Sequence, residues 1–252
     1  MLSQQQLDQV CVVLVRARNP NNIGAVARAM HDFGFRHLRV VNEYAVPFAT
    51  ARSAIDASEV LAGAKEFGSV AEAVADCTLV VGTTAVGERA LLHPLHAPPE
   101  AAVEIGNALA SEGRVALLFG SEKTGLSNDE LSHCHWLLTI PMKEHEDVRH
   151  PSMNLGHAAA VCLYELVRET GVHRGVGVSV VAEAGEVERL TALLTEVLEQ
   201  TGYTRRHPAN CDEAQIRRLV LRMGVSANDV PVWMGILRQV LWKARGAEAG
   251  KE

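Results

Sequence analysis

The chain has 252 residues with a formal net charge of −6, a 48% hydrophobic fraction and only 4% aromatics. That is enough for one large domain, or a medium one with a small companion, and the small-aliphatic bias suits a packed α/β layer structure. Gln4, Gln5, Gln6 and Asp8 interrupt any secretory apolar region and no apolar run reaches membrane-spanning length, so a cytoplasmic protein without membrane contact is expected.

In chain order, apolar runs at 10–15, 38–41, 78–82, 115–119 and 136–140 predict strands. Helical stretches are expected between them, near 23–33, 53–66, 69–75, 98–111 and 127–133, and then near 152–170, where Leu155, Ala159, Cys162, Leu163 and Leu166 recur at helical spacing. This alternation predicts an α/β fold with a mainly parallel sheet and helices on both faces across residues 1–171. Residues 172–185, "VHRGVGVSVVAEAG", lack periodicity and read as a linker. A small all-helical extension over 186–252 follows, with helices near 186–201, 212–223 and 227–245.

Charge is unevenly distributed. Residues 205–245 hold eight basic residues against three acids, a net +5, which leaves −11 for the rest of a chain at −6. A solvated helical surface explains this on its own, but it also permits a local phosphate-binding face that includes Arg205, Arg206, Arg217 and Arg218. The five cysteines are odd in number, scattered and free of any C-x-x-C spacing, as reduced thiols are. His133, Cys134 and His135 are consecutive and cannot all point one way, so no metal site is expected there.

Four strand ends carry candidate site residues, since open α/β sheets bind ligands outside the carboxyl ends of their strands. The first, "NPNNIGAVARAM", offers Asn19, Asn21 and Asn22 as caps and Gly24 for close approach. Its Arg28 lies off the apolar stripe of Ile23, Val26, Ala27 and Met30; alone it reads as a surface charge. The second places Thr83, Thr84 and Ala85 after a strand. The third, "FGSEKTGLSNDEL", sets Gly120 and Gly125 in a G-x-x-x-x-G spacing, but the following Lys of a phosphate loop is missing, so an ATPase or GTPase is excluded. No G-x-G-x-x-G follows the first strand, which excludes the nicotinamide fingerprint. The fourth runs from Ile140 through a charged loop to Pro151, Ser152, Met153 and Asn154, where Ser152 lacks a nucleophile elbow.

These three motifs, "NPNNIGAVARAM", "FGSEKTGLSNDEL" and "PSMNLGHAAAVCLYEL", resemble in this order the SPOUT methyltransferases, and within them the TrmJ branch of tRNA 2′-O-methyltransferases. The similarity covers 10–170, and the tail "IRRLVLRMGVSANDVPVWMGILRQV" resembles that branch's helical extension. The resemblance implies a C-terminal trefoil knot and a homodimer with the site completed across the interface. It also implies S-adenosylmethionine as methyl donor, leaving as S-adenosylhomocysteine. Thr83, Thr84, Ala85, Gly120, Ser121, Glu122, Gly125, Ile140, Pro151, Ser152, Met153 and Asn154 would hold the donor; Arg28, Ser152 and Asn22 would be catalytic, and the RNA-binding set would be Arg28, Arg205, Arg206, Arg217 and Arg218. The implied target is the ribose of nucleotide 32 in the tRNA anticodon loop, cytidine or uridine. A ribosomal RNA 2′-O-methyltransferase and a non-catalytic RNA-binding protein are the alternatives. The loop "MKEHEDVRH" at 142–150 is longer than that branch leads one to expect.

Overall fold

A computed structural model describes residues 2–42, 58–85, 92–143, 153–168, 181–208 and 211–249. Within them a seven-stranded sheet is built from β1 (Val10–Val15), β2 (His37–Val41), β3 (Lys65–Phe67), β4 (Leu79–Thr83), β5 (Leu95–His96), β6 (Val115–Phe119) and β7 (Trp136–Leu138). The spatial order is β3-β2-β1-β6-β4-β7-β5, and every neighbouring pair is parallel. The helices are α1 (Gln4–Leu7), α2 (Pro20–Asp32), α3 (Ser58–Ala62), α4 (Val70–Val74), α5 (Pro98–Ala110), α6 (Asn128–Ser132), α7 (Leu155–Val167), α8 (Ala184–Gln200), α9 (Tyr203–Arg206), α10 (Glu213–Arg222) and α11 (Val230–Ala249). No helix among the described residues is long and apolar enough to cross a membrane.

All six residues of β1 are apolar and buried because both faces of the sheet are covered. Strand alternation sends Val10, Val12 and Leu14 to one face, against Ile23, Val26 and Met30 of α2, Ile105 of α5 and Leu163 of α7. Cys11, Val13 and Val15 go to the other, against Val70, Ala73 and Val74 of α4 and Leu131 of α6. The α2 helix starts where expected: Asn19 Oδ1 caps it by accepting from the Asn21 N–H, and Pro20 fills the first turn. Helix α7 crosses α2 so closely that a Cβ on Gly156 would lie 2.5 Å from the Ala25 Cβ.

The chain steps outward through β2 and β3, crosses to β4, then returns to insert β6 between β1 and β4. This brings the carboxyl ends of β1, β6, β4 and β7 side by side.

Several elements depart from expectation. The helix expected over 53–66 ends at Ala62 among the described residues, and Lys65–Phe67 pairs with β2 instead. The two-residue β5 and the four-residue α9 had no periodic signal to announce them. Residues 181–185, assigned to the linker, are tied down: Ala182 N donates to Val225 O (3.1 Å), Ala184 N to Cys77 O (2.6 Å) and Gly185 N to Ala75 O (2.8 Å). The rest of the linker, 172–180, lies outside the described residues.

The C-terminal helices have their own core, where Leu190 and Val197 of α8 meet Val220 of α10 and Leu237 and Leu241 of α11. A polar joint fastens them to the sheet layer, and it corrects one expectation. Arg217, grouped with the RNA-facing arginines, is only 5% exposed. Its Nη1 donates to Ser132 Oγ (2.7 Å), its Nε to Glu188 (2.7 Å) and its Nη2 to Glu213 (2.6 Å). A buried guanidinium requires such partners, and at this degree of burial Arg217 is not presented to RNA. His133 Nδ1 lies 3.2 Å from the same Glu188, Cys134 is buried against the second face, and His135 Nδ1 accepts from Val80 N at 3.0 Å.

Two groups with large shifts contribute to the acid response. Burial pushes His135 down from 6.5 to about 4, so it is neutral in the fold. The unfolded chain takes up that proton near its ordinary value, so stability falls as pH drops from about 6.5 to about 4. Asp76 is held near 2 by the Arg39 ion pair (2.5 Å), so its contribution is complete above its ordinary 3.8 and is lost between there and about 2. Calorimetric Tm values should therefore decline across the first window, and His135→Gln should flatten that decline; an unchanged slope in the variant would refute the assignment.

Candidate active site

Arg16 ends β1 in the left-handed region, at φ +56, a conformation that is costly for an arginine. It is held there by its N–H donating to Val41 O (2.8 Å) and by a bidentate pair with Glu130 of α6 at 2.6 and 2.9 Å. Its Nη2 also donates to Gly125 O (3.2 Å), so one side chain joins the β1–α2 turn to the β6–α6 loop. Burial alone would raise the Glu130 carboxyl; the Arg16 guanidinium and the Ser127 backbone reverse this and hold it below its ordinary value.

The neighbouring carboxylate does the same for the next turn of chain. Glu122 Oε1 accepts from Asn22 Nδ2 (2.9 Å) and Asn19 N (3.2 Å), and Oε2 accepts from Arg18 N (3.3 Å). Partial burial pushes Glu122 up, but these hydrogen bonds to its charged form outweigh it and lower it. Asn22 Oδ1 in turn accepts from Asn154 Nδ2 (3.0 Å), and Asn154 Oδ1 caps α7 by accepting from Gly156 N (2.9 Å). The three sequence motifs, up to 132 residues apart, thus meet in a single chain of hydrogen bonds.

Around them the strand ends present a backbone cradle. A Cβ at Gly120 would sit 2.2 Å from Gly125 C and Leu126 N, so only glycine fits where the loop folds back on itself. The return is closed by Gly125 N donating to Ser121 O (2.8 Å), with Gly125 at φ +65. Thr83 Oγ1 donates to Leu118 O (2.9 Å), Thr84 N to Leu138 O (3.0 Å) and Thr84 Oγ1 to Ala85 O (3.1 Å). Ser121 Oγ and Thr124 Oγ1 lie 2.8 Å apart. Ile140 and Met153 are half-buried at the rim. Small residues with satisfied hydroxyls and close backbone edges suit an organic ligand better than a metal ion.

Not every expected residue joins this cluster. Arg28 is exposed on α2, roughly 9 Å beyond Asn22 along the axis and about 120° round it, from ~1.5 Å and ~100° per residue. Arg205 and Arg206 are exposed on α9, far along the chain. Pro151 and Ser152 lie outside the described residues, as does most of the charged loop, 144–150. Sequence reasoning missed Arg16 and the backbone donors of Arg18 and Asn19; a positive φ and a main-chain N–H leave no mark on residue type.

Residues 9–164 match the SpoU rRNA Methylase family, so the chain belongs to that family and is an RNA methyltransferase. Its similarity to particular members extends through the C-terminal helices. It is 33% identical over 259 residues to the tRNA (cytidine/uridine-2′-O-)-methyltransferase TrmJ of Yersinia enterocolitica, spanning 97% of this chain and 98% of that one. It is 32% identical to the tRNA (cytidine/uridine/adenosine-2′-O-)-methyltransferase TrmJ of Pseudomonas aeruginosa, over 95% of this chain and 96% of that one. The crystal structure of TrmJ from Z. mobilis ZM4 superposes with a TM-score of 0.75 at 29% identity, covering 91% of this chain and 98% of that one.

Glu122→Ala strips the acceptor from two main-chain N–H groups and Asn22, and should cost about 1–2 kcal/mol in urea denaturation with an unchanged m-value. Gly120→Ala should cost about 3 kcal/mol or more, because backbone rather than a movable side chain blocks the methyl. Wild-type stability for Gly120→Ala would contradict the close approach.

Proposed function

We propose that the protein transfers a methyl group from S-adenosylmethionine to a ribose 2′-hydroxyl of tRNA, in the anticodon loop at nucleotide 32. The observation that carries this reading is the near-full-length similarity to tRNA 2′-O-methyltransferases, which includes the C-terminal helices as well as the three motif loops. A ribosomal RNA target would leave that shared extension without a role. The relative that also accepts adenosine supports loose base choice, as expected when the reacting group is on the sugar.

The loops at 83–85, 120–125, 140 and 151–154 would hold the donor. When bound, S-adenosylmethionine supplies an electrophilic methyl on sulfur. The protein's part is orientation, and positioning alone is worth roughly 7–11 kcal/mol of barrier. The Glu122–Asn22–Asn154 chain keeps the three loops in one register. A guanidinium keeps its proton in water. Arg28 therefore acts as a cation, holding a phosphate beside the target ribose and stabilising the oxygen as its proton leaves. Ser152 orients the ribose or relays that proton. The reading includes a homodimer with the active site completed across the interface. The exposed Tyr164, its ring tilted against Phe33 at a centroid distance of 6.0 Å where α2 and α7 meet, supports an interface on that side. The reading further includes a cytoplasmic enzyme with a knotted C-terminal segment in a methyltransferase domain over 1–171, and an RNA-binding extension over 186–252.

Nucleoside mass spectrometry of tRNA from a deletion strain should show loss of one 2′-O-methylated anticodon-loop nucleoside, regained on complementation. An unchanged nucleoside profile would exclude the tRNA assignment. Arg28→Ala should lower the single-turnover rate about 100-fold. A variant with weaker tRNA binding but a normal single-turnover rate would reduce Arg28 to a binding role.

A further inference from the structure

Helix α11 carries two apolar stripes and buries only one of them. Val230, Leu237 and Leu241 are buried in the core that α11 shares with α8 and α10. The second stripe lies about 120° round the helix, from ~100° per residue. It consists of Val232, Trp233, Ile236 and Val240, all exposed, Val232 at 60% and Ile236 at 49%. A shallow groove follows it, lined by Gly235, Ile236, Gln239, Val240 and Lys243. A Cβ on Gly235 would meet nothing within 4 Å, so the flank of the stripe is open. A contiguous apolar stripe left in water marks an interaction surface.

The charges at its two ends say what fits there. Asp229 is exposed immediately before the helix and Lys243 is exposed further along it, each seven residues from Ile236. Asp229 accepts from Ser226 Oγ (2.7 Å), but neither it nor Lys243 has an ion pair among the described residues, whereas Arg245 of the same helix is paired with Glu196. Consider a second copy of α11 laid antiparallel, Ile236 upon Ile236. Val232 then meets Val240, Trp233 meets Gln239 and Asp229 meets Lys243, each twice. A parallel copy would set Asp229 on Asp229 and Lys243 on Lys243. The charges therefore select the antiparallel pair, and the two-fold symmetry makes the surface self-complementary. This surface is separate from the one around Tyr164. Helix α8 packs on α4 and α10 on α6, so the extension lies on the sheet face opposite α2 and α7.

We propose that the exposed stripe of α11 is a self-association surface, on which α11 of a second copy docks antiparallel about a two-fold axis at Ile236. The seam from Asp229 to Lys243 is about 21 Å long, from ~1.5 Å per residue. A single helix pair of that length falls at the low end of specific interfaces, which begin near ~1,200 Å² of buried surface, so the association depends on concentration. Its apolar centre supplies the affinity, and the two Asp229–Lys243 pairs at the rim set the orientation. With the methyltransferase dimer formed on the opposite face of the sheet, this contact joins one dimer to another.

Sedimentation velocity over a concentration series, with oxidative cross-linking, tests this on the full-length protein without RNA or donor. The wild type should form a heavier species that grows with concentration. Ile236→Asp should weaken that association about tenfold while Tm stays at the wild-type value, because the side chain is half exposed. Lys243→Glu should weaken it about fivefold, and adding Asp229→Lys should restore it, since the swapped charges again face each other. Mild copper-phenanthroline oxidation of Ile236→Cys should give a covalent dimer on a non-reducing gel. Arg238→Cys, about 200° round the helix at ~100° per residue, should not. A wild-type mass that does not change with concentration overturns the proposal, as does Ile236→Cys cross-linking no better than Arg238→Cys. Ile236→Asp with normal self-association but weaker tRNA binding would also overturn it and make the stripe an RNA surface. Methyl transfer at concentrations too dilute for association should be at the wild-type rate in every variant, so the enzymatic reading stands or falls separately.

Discussion

The candidate site depends on the carboxylate of Glu122. Its two oxygens accept from two main-chain N–H groups of the β1–α2 turn and from Asn22, which is itself bonded to Asn154 at the start of α7. Loops at strand ends are ordinarily the mobile part of an α/β protein. Here each is pinned by a group from another, so the register of all three is set by one anion. Glu130 repeats the device one turn later, holding Arg16 in a backbone conformation that its own preferences disfavour. The two acids come from a single segment, 122–130, which therefore acts as the frame for the others.

Close approach is the second constraint. The Gly125–Leu126 backbone passes 2.2 Å from where a methyl on Gly120 would sit, and Gly156 lets α7 lie on α2. Without the first, the loop cannot fold back over β6; without the second, Asn154 would not reach Asn22. Glu122 can collect its donors only because these backbones are near enough for side chains of three or four bonds to span the gap.

The same segment also couples the two halves of the chain. Helix α6 is tied at one end to Arg16 through Glu130 and at the other to Arg217 through Ser132. Five residues long, it is too short to be stable alone, and its capping box and these two arginines supply what length does not. The C-terminal helices are thus held against the sheet layer by the main-chain hydrogen bonds of Ala184 and Gly185 and by the ion cluster around the buried Arg217.

The long periodic elements were legible from residue order. The apolar runs of β1 and β6, the stripe and cap of α2, and the spacing in α7 all follow from burial on known faces, and local chemistry suffices to specify them. The motif loops were legible as well, but only as a set. What residue order does not carry is pairing between distant segments. The short strands β3 and β5 exist because a neighbour offers them hydrogen bonds, not because their own residues favour extension. Arg217 and Arg218 are adjacent and identical in sequence, yet helix rotation buries one against Ser132 and leaves the other with no partner among the described residues. Arg16 drew no notice because a strained φ is imposed by its partners. The sequence by itself determined the layer architecture and the family of loops, since burial periodicity and cap chemistry are local. Only the tertiary structure decided which polar groups are consumed in holding the fold and which remain for a ligand, because that depends on distances between residues a hundred or more positions apart.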